Sequence, residues 1–461
     1  MEFSQDFLTG ILEKALSRGG DYADVYIEET VKSGISYDSG KVKNITSGIV
    51  AGAGLRIITG TDFIYMYAAD VDEQKMRKLA DDISAAAAAG KSGVVKALVP
   101  YEYTSILPIS ILPETVDLSV KVGVVERANQ AGRQFSKKIT EVMVRYLDND
   151  QKVTVASSDG RYARDHRVRT RLVVQCIATD GDKRETGMSA PGRGMGFEMF
   201  DVISPESIAR EAARMACVLL EADYAPQGKF PVVIDNGFGG VIFHEACGHA
   251  LEATSVGKNA SVFSGKLNQQ IASPIVTAID DGTVPNAWGS ANIDDEALPT
   301  QKNILVKDGV LVSYMVDKLG ALRMNHPLTG SSRRESYKFA PTSRMTNTYI
   351  AEGDSSLDDM LGSIDYGLYC RYMGGGSVNP PTTDFNFSVM EAYLIEKGKV
   401  SKPIKGASLI GKGSEILMNI EMVGNSMEFG TGMCGSLSGS IPANVGQPAI
   451  KVSGLVVGGR A

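Results

Sequence analysis

The sequence predicts a multi-domain α+β protein of mixed helix and largely antiparallel sheet, with a strand-rich C-terminal domain. The chain has 461 residues, and single cores stop growing at about 250–300 residues, so more than one domain is expected. Helical and strand-like patterns do not alternate regularly, as they would in a doubly wound sheet. Beyond about residue 240 the chain consists mostly of strand-like and glycine-rich turn segments.

The first predicted domain spans residues 1–90. It opens with an amphipathic helix over residues 3–18, whose apolar side chains recur at helical spacing. Residues 23–67 are rich in Val, Ile, Tyr and Gly and predict several antiparallel strands. A second helix is predicted over residues 72–89, with Gly90 as its stop.

A connecting segment with three prolines leads to a central domain over residues 114–223. Helices are predicted at both ends of that domain, over 114–135 and 204–223, with strand-like alternation between them. The third predicted domain spans residues 228–461. It begins with the apolar strand Phe230–Ile234 and carries the chemical signals described below.

The formal net charge of the chain is −7, which does not suit a protein that coats nucleic acid or an anionic membrane. The densest basic stretch lies between Arg161 and Arg171, where the last arginines alternate with Val168 and Thr170. Alternation is the period of a strand, so we interpret these arginines as one solvated strand face. No nucleic-acid partner is expected.

Targeting signals and disulfide patterns are absent from the sequence. The first residues lack a basic n-region and an apolar h-region, and no run approaches the roughly 18 apolar residues of a spanning helix. The five cysteines are odd in number and widely spaced, so no disulfide framework is implied. We expect a cytoplasmic protein with no membrane partner.

The strongest chemical signal is the segment His244–His249, which reads H-E-A-C-G-H and holds two of the four histidines. Neutral imidazoles bind Zn²⁺ well, and a catalytic zinc leaves one position for water. A carboxylate beside a ligand can take a proton from that water and pass it to the leaving amine. The pattern predicts His244 and His249 as zinc ligands and Glu245 as the catalytic acid/base. A solvated helix with two incidental histidines is the alternative.

The spacing of the two histidines predicts an irregular helix. The familiar zincin motif is H-E-x-x-H, whereas here the second histidine lies one residue further on. Five residues rotate about 140° on an ideal α-helix, so His244 and His249 would face different directions. A π-bulge would bring them together. We expect Gly248 to ease that distortion through its backbone freedom.

Cys434 is the candidate for a third ligand. It lies in the glycine-rich segment Gly430–Gly435, and glycines let backbone approach a site closely. A buried, inert thiol is the alternative at this stage. Cys247 lies inside the motif but is expected to pack behind the helix. His166 and His326 are interpreted as ordinary surface or core histidines.

Other glycine-rich and acidic segments predict no second site. Gly237–Gly240 lies between a strand and a helix but lacks the G-K-[ST] ending of a phosphate loop, so a tight turn is predicted. Asp280–Gly282 and Asp294–Glu296 do not match an EF-hand loop and are interpreted as turns.

Several blocks of the sequence, in order, resemble the TldD/PmbA (TldD/TldE) family of metallopeptidases. The blocks that carry the resemblance are His244–Glu252, Asp280–Thr283, Asp294–Glu296, Arg344–Thr348 and Met433–Gly435. Because the chain retains H-E-x-x-x-H, it resembles the active TldD type and not the members that lack the motif.

The resemblance implies an N-terminal region followed by a C-terminal domain that carries the metal site. It implies Zn²⁺ held by His244, His249 and Cys434, with Glu245 as the catalytic acid/base. It also implies unfolded or extended peptides as substrates, and a homodimer or a heterodimer with a motif-lacking sister subunit. The sequence does not identify the substrate-binding residues.

Two other functions stay open from the sequence. The family's older label, modulator of DNA gyrase, suggests a regulatory or binding protein. A structural metal site is the second alternative, and such a site normally has four protein ligands and no water. The natural substrate and the choice between internal and terminal cleavage are not predicted.

Overall fold

The computed structural model describes residues 2–87, 90–379 and 382–459. The α-helices of these residues are α1 (Gln5–Ala15), α2 (Glu73–Ala86), α3 (Leu118–Phe135), α4 (Met199–Val202), α5 (Pro205–Glu221), α6 (Val241–Phe243), α7 (Ala253–Val256), α8 (Lys318–Met324), α9 (Leu357–Gly362) and α10 (Gly413–Ile416). Short 3₁₀ turns lie at Leu16–Arg18, Pro113–Thr115, Phe238–Gly240, His249–Leu251 and Leu417–Asn419, and a π-helical turn lies at His244–Gly248. Within the described ranges, no helix has the length and apolar character to cross a membrane.

The first half of the chain builds one large sheet. Its strands are β1 (Tyr22–Asp38), β2 (Lys41–Thr59), β3 (Asp62–Ala69), β4 (Val99–Pro100), β5 (Ile139–Ser157), β6 (Arg161–Asp180), β7 (Lys183–Ser189) and β8 (Gly192–Arg193). They run in the order β3-β2-β1-β5-β6-β4, and β7 and β8 also pair with β6. Only the β4–β6 pair is parallel among them.

This sheet joins the first two predicted domains. β1 comes from residues 1–90 and pairs along its length with β5, which belongs to residues 114–223. The helices α1 and α2 pack on one apolar cluster of the sheet, and α3 and α5 pack on another. The division of this half into two domains therefore cuts through one sheet, and it stays a prediction.

The second half of the chain builds two further sheets and one small ribbon. Its strands are β9 (Asp223–Tyr224), β10 (Gly228–Ile234), β11 (Ala278–Asp281), β12 (Lys302–Lys307), β13 (Val310–Leu311), β14 (Ser332–Arg333), β15 (Thr342–Ser343), β16 (Asn347–Ile350), β17 (Tyr366–Asn379), β18 (Asp384–Glu396), β19 (Lys399–Lys405), β20 (Ser408–Lys412), β21 (Ile420–Val423), β22 (Glu428–Ser436), β23 (Gly439–Gln447) and β24 (Ile450–Gly458). The mixed, largely antiparallel α+β fold and the strand-rich C-terminal half are confirmed.

Two features of these sheets place the candidate site. The strands β17, β10, β24, β20 and β18 close on themselves, because β17 also pairs with β18. The other sheet runs β13-β12-β11-β16-β23-β22, so β22 is its edge strand. A single apolar cluster joins both sheets and the motif segment, with Phe243, Ala246 and Cys434 among its buried members.

The helix ends follow local hydrogen bonding, with one departure from prediction. Ser4 caps α1 by accepting a hydrogen bond from Phe7 N at 3.1 Å. Asp72 caps α2 in the same way through Lys75 N. The predicted helix 72–89 is too long, because α2 ends at Ala86 and Ala87 is already extended. Residues 88 and 89 lie outside the described residues.

The prediction of a solvated arginine face on β6 is wrong. Arg167 and Arg169 are buried, at 6% and 4% exposure, because the C-terminal half covers that face of the strand. Arg167 pairs with Asp165 at 2.7 Å and with Asp295 at 2.8 Å. Arg169 donates hydrogen bonds to the carbonyl of Trp288 and a neighbouring carbonyl. The alternating pattern predicts the strand β6 correctly, but it does not show which face of that strand a distant segment covers.

A second buried arginine joins the first sheet to the C-terminal half. Arg56 on β2 is 1% exposed and forms ion pairs at 2.6 Å with both Asp24 of β1 and Glu296. Burial opposes its charge, but these two carboxylates outweigh that effect and raise the pKa of Arg56 well above its ordinary value. The segment Asp294–Glu296, interpreted from the sequence as a turn, contains turn residues, and its buried carboxylates also anchor the sheet.

Replacing Arg56 should destabilise the fold strongly. The Arg56→Met variant removes the ion-pair partner of the buried Glu296 carboxylate and the nearer partner of Asp24, which keeps only Arg334 at 3.6 Å. This loss costs about 3 kcal/mol or more. Thermal and chemical unfolding measure the effect. Arg77→Met is the matched control, since Arg77 is 64% exposed in its surface pair with Glu73 and should leave stability unchanged. Equal stability of both variants would contradict this account of the junction.

Candidate metal centre

The motif segment contains the irregular turn that the histidine spacing predicts. α6 runs directly into the π-helical turn His244–Gly248, and a 3₁₀ turn follows from His249. The backbone N–H of His249 donates to the carbonyl of His244, which is the i→i+5 bond of a π-helix. The wider turn brings both imidazoles to one side, with ring centroids 5.3 Å apart.

The glycines at this turn are important because they leave room for neighbouring segments, and not because they adopt unusual backbone angles. Gly248 has ordinary helical angles, φ −55° and ψ −52°, so the expectation that it eases the distortion is wrong. A Cβ at Gly248 would lie 2.3 Å from Met345 Sδ, and a Cβ at Gly413 would lie 2.1 Å from the Ala246 carbonyl oxygen. Neighbouring segments therefore pack against the turn too closely for side chains at these positions.

Cys434 comes to the two histidines from the edge strand β22. Its Sγ lies 3.1 Å from His244 Nε2 and 3.4 Å from His249 Nε2. One ligand atom from each of the three residues falls within 4.8 Å of the others. Cys434 and His244 are 2% exposed, whereas the His249 side chain is 12% exposed and opens the cluster to solvent. The structure thus assembles the three predicted ligands in one place.

The far nitrogen of each imidazole has its own partner. His244 Nδ1 lies 2.9 Å from Thr348 Oγ1, and His249 Nδ1 lies 3.2 Å from Glu252 Oε1. In the neutral form of the rings, a proton on each Nδ1 faces these partners, and both Nε2 lone pairs are directed at Cys434. Such outer partners set the tautomer and orientation of metal-binding histidines.

A buried arginine supports two parts of the cluster at once. Arg344 has no exposed surface, and its guanidinium donates to the carbonyl oxygens of Cys434 and Gly439 and to Ser438 Oγ. Its Nε lies 3.9 Å from Glu252 Oε1. Arg344 therefore joins the β22–β23 hairpin that carries the cysteine to the carboxylate that faces His249.

The electrostatics of the cluster favour a thiolate. Burial opposes ionisation of Cys434, but the imidazoles of His244 and His249 outweigh it and lower the pKa of the thiol well below its ordinary value. Burial likewise opposes a charged His249, but Glu252 and Cys434 outweigh it and raise the pKa of that imidazole well above its ordinary value. The site favours a thiolate balanced by positive charge, and thiolate is the form of cysteine that binds metal ions.

Glu245 stands beside the cluster without belonging to it. Its Oε2 lies 3.7 Å from His249 Nε2, and its side chain is 27% exposed. Its carboxylate can therefore reach both the space in front of the three ligand atoms and solvent. That position suits a group that exchanges protons next to a metal ion.

The donor set fits a transition-metal ion such as zinc. Imidazole and thiolate are both common zinc ligands, and catalytic zinc sites have three protein ligands. In the part of the chain that the structure describes, only His244, His249 and Cys434 form such a cluster of three or more ligand groups. No fourth protein ligand joins them there.

The remaining candidates lie elsewhere. Cys247 is fully buried and its Sγ donates to the Gly413 carbonyl, so it packs behind the turn as predicted. His166 pairs with Asp150 at 2.7 Å in the first sheet. His326 is exposed and contacts the neighbouring Pro327 carbonyl.

The segment Asp280–Gly282 was predicted to be a turn, but its two aspartates end the buried strand β11. Asp280 accepts hydrogen bonds from the backbone and the hydroxyl of Thr346 at 2.7 and 2.9 Å. Burial raises the pKa of Asp280 to about 6. This contact holds the end of β16, from which Thr348 reaches His244.

Sequence reasoning assigned no role to Glu252, Thr348 or Arg344. A signal for Glu252 exists, because it follows His249 by three residues and positions i and i+3 share a helix face. Thr348 and Arg344 have no such local signal, although both lie in the block Arg344–Thr348 that contributes to the family resemblance. They lie about one hundred residues beyond the motif, and only the fold brings them to it.

Comparison with protein-family models covers nearly the whole chain. The PmbA/TldA metallopeptidase domain 1 matches residues 23–89, the central domain matches residues 111–220, and the C-terminal domain matches residues 227–459. The candidate metal centre lies entirely within the C-terminal match.

Individual relatives agree with the family models. The chain is 36% identical to "Metalloprotease TldD homolog" of Haemophilus influenzae, over 99% of this chain and 96% of the relative. It is 31% identical to "Metalloprotease MJ0996" of Methanocaldococcus jannaschii, over 96% of this chain and 98% of the relative.

Solved structures share the fold at lower identity. A proposed modulator of a DNA gyrase from Thermotoga maritima superposes with a TM-score of 0.80 at 19% identity, covering 98% of this chain and 99% of that one. TldE from Thermococcus kodakarensis superposes with a TM-score of 0.78 at 17% identity, covering 98% and 99%. With family models across the chain and close relatives named metalloproteases, the chain belongs to the PmbA/TldD family of metallopeptidases.

Proposed function

We propose that this metallopeptidase is zinc-dependent and hydrolyses peptide bonds of unfolded or extended peptides. The observation that carries the proposal is the convergence of His244, His249 and Cys434, with Glu245 beside them. Their ligand atoms lie within 4.8 Å of one another, and the Glu245 carboxylate lies 3.7 Å from His249 Nε2. Three protein ligands with a neighbouring carboxylate are typical of catalytic zinc sites.

His244, His249 and Cys434 would hold the ion. When bound, Zn²⁺ supplies Lewis acidity to a peptide carbonyl and lowers the pKa of water to near neutrality. Thr348 and Glu252 fix the ring orientation of the two histidines through Nδ1. The thiolate of Cys434 supplies negative charge that two neutral imidazoles lack.

Glu245 is the proposed acid/base. Its carboxylate takes a proton from the attacking water and returns it to the amine of the leaving peptide. Partial exposure of its side chain, 27%, leaves the carboxylate within reach of substrate. Because Glu245 is not one of the clustered ligand residues, its replacement should separate chemistry from metal binding.

Extended peptides suit the surroundings of Cys434. β22 is an edge strand, and extended peptides often bind by adding a strand to such an edge. The carbonyls of Gly432 and Cys434 already accept hydrogen bonds from Trp288 and Arg344. Recognition there would use the remaining backbone groups and the side chain of Met433, which is 50% exposed.

A regulatory or binding protein with a structural metal site is the less favoured function. Structural zinc sites normally have four protein ligands. In the described parts of the chain the cluster contains three ligand residues and an adjacent carboxylate. That arrangement supports a site that is open to substrate.

We also propose a cytoplasmic location and a second subunit. The five cysteines are all free thiols, four of them buried, which agrees with a reducing compartment. A second subunit, either another copy of this chain or a motif-lacking sister, agrees with a likeness to a protein named TldE.

Replacing Glu245 tests the proposed chemistry. Glu245→Gln should keep full zinc content and lose about a hundredfold or more in the hydrolysis rate of an unstructured, fluorescently labelled peptide. Glu114→Gln, at an exposed position far from the cluster, is the matched control and should match wild type in both measurements. Undiminished hydrolysis by Glu245→Gln would refute the acid/base role. Zinc binding without hydrolysis by wild type would favour the regulatory function or a need for the sister subunit.

Replacing Glu252 tests the orientation of His249. Glu252→Gln keeps the side-chain size but removes the charge that faces His249 Nδ1, so zinc affinity should fall about 10–100-fold. Competition with a chromophoric chelator measures the affinity. Glu421→Gln breaks a half-exposed pair with Lys451 and should leave the affinity unchanged. An unchanged affinity in Glu252→Gln would show that the ring is held in some other way.

A further inference from the structure

Two arginines, Arg145 of β5 and Arg171 of β6, are neighbours on one face of the first sheet. In the antiparallel pairing of these strands, Leu147 lies opposite Arg171, and Arg145 lies opposite Val173. Residues directly opposite each other share a face, and so do residues two apart on one strand. Arg145 and Arg171 are therefore diagonal neighbours on the same face, roughly 7 Å apart.

The C-terminal half covers this face of the sheet only as far as these two arginines. Arg167 and Arg169 precede Arg171 on the same face of β6 and are buried, at 6% and 4% exposure. Arg171 is half-buried, and Arg145 is exposed. The covering segment ends here with Trp288, whose ring centroid lies 5.6 Å from Arg171 Cζ. The two arginines therefore lie where the covered face opens to solvent.

Neither of these arginines has an acidic partner among the described residues, whereas Arg167 on the same face has two. Arg171 Nε donates to the Ala190 carbonyl oxygen at 3.1 Å, and no hydrogen bond within the described residues uses its two Nη atoms. Burial lowers the pKa of Arg171, and the neighbouring charge of Arg145 lowers it further. Two like charges held close together repel each other, and an anion bound between them would relieve that repulsion.

The surroundings of Arg171 are joined to the strand that carries the cysteine ligand. Trp288 Nε1 donates to the Gly432 carbonyl oxygen at 2.9 Å, and Gly432 precedes the cysteine on β22 by two residues, or about 7 Å of strand. Gly192 lies opposite Arg171 in the sheet, and its N–H donates to Thr431 Oγ1 at 3.1 Å. An extended peptide advances about 3.3 Å per residue, so a peptide held at the metal centre could reach these arginines within several residues.

We propose that Arg145 and Arg171 together bind a carboxylate of the peptide substrate, several residues away from the bond that is cleaved. A guanidinium group can bind a carboxylate through two parallel hydrogen bonds, and the unused Nη atoms of Arg171 are suited to this geometry. The carboxylate has two possible sources, the side chain of a glutamate or aspartate and the C-terminus of the peptide. We thereby narrow the substrate class of the proposed function, on which this inference rests, to peptides with an anionic group at that distance.

Peptide binding to the zinc-loaded Glu245→Gln variant tests the site without hydrolysis. The reference is an uncharged, fluorescently labelled peptide amide. A second set carries one glutamate at each position in turn, and a third peptide has the reference sequence with a free C-terminal carboxylate. We expect one carboxylate position to lower the Kd about tenfold, measured by fluorescence anisotropy. A gain with glutamate assigns the carboxylate to a side chain, and a gain only with the free acid assigns it to the C-terminus. Equal binding of all peptides, or binding of none, would overturn the proposal, whereas failure of wild type to hydrolyse any peptide would refute only the proposed function.

Arginine variants in the same background test which side chains bind the carboxylate. Arg145→Gln and Arg171→Gln should each remove most of the roughly tenfold preference and leave the affinity for the uncharged peptide unchanged. Arg184→Gln, at a 59% exposed position on β7, is the matched control and should keep the preference. Arg145→Glu, at an exposed position where folding is not at risk, should instead favour a peptide with lysine in place of the preferred carboxylate, which a merely structural role would not produce. A preference that survives both glutamine variants, or that Arg184→Gln reduces equally, would overturn the proposal.

Discussion

The hydrogen bond from His249 N to His244 O determines where both imidazoles point. On a regular α-helix these side chains would diverge by about 140°, and one metal ion could not contact both. The π-helical turn removes that divergence, and the close packing of Met345 and Gly413 against it leaves the turn little room to relax. Everything else at the site depends on this turn, because Cys434 and Glu245 matter only if both histidines face the same point.

The surrounding fold supports the turn from three directions. Arg344 holds the Cys434 hairpin and faces Glu252, Thr348 reaches His244 from β16, and the closed ring of strands packs behind the turn. The first sheet is joined to this half by buried arginines such as Arg56 and Arg167. These arginine side chains are buried with carboxylates of the C-terminal half. The half that carries the site is therefore joined to the large sheet through buried ion pairs.

The structural features that depend on short-range sequence patterns could be predicted from the sequence. The α+β class, most strands, and the motif turn all follow from periodicity and spacing within short segments. The family assignment came from several blocks together, and it brought Cys434 to the motif although nearly two hundred residues separate them. The burial of Arg167 and the roles of Thr348 and Arg344 were not predictable. They depend on which distant segments meet, and neither strand period nor helix spacing carries that information.

We propose that Cys434 completes a zinc site with His244 and His249. X-ray absorption at the zinc edge measures it most directly on the zinc-loaded protein. We predict one sulfur at about 2.3 Å and two imidazole nitrogens at about 2.0–2.1 Å from the zinc ion. Cys434→Ser should lose the sulfur signal, and Cys247→Ser should keep it. Wild-type zinc without a sulfur ligand, or a sulfur signal that Cys247→Ser removes and Cys434→Ser keeps, would show that Cys434 is not a ligand.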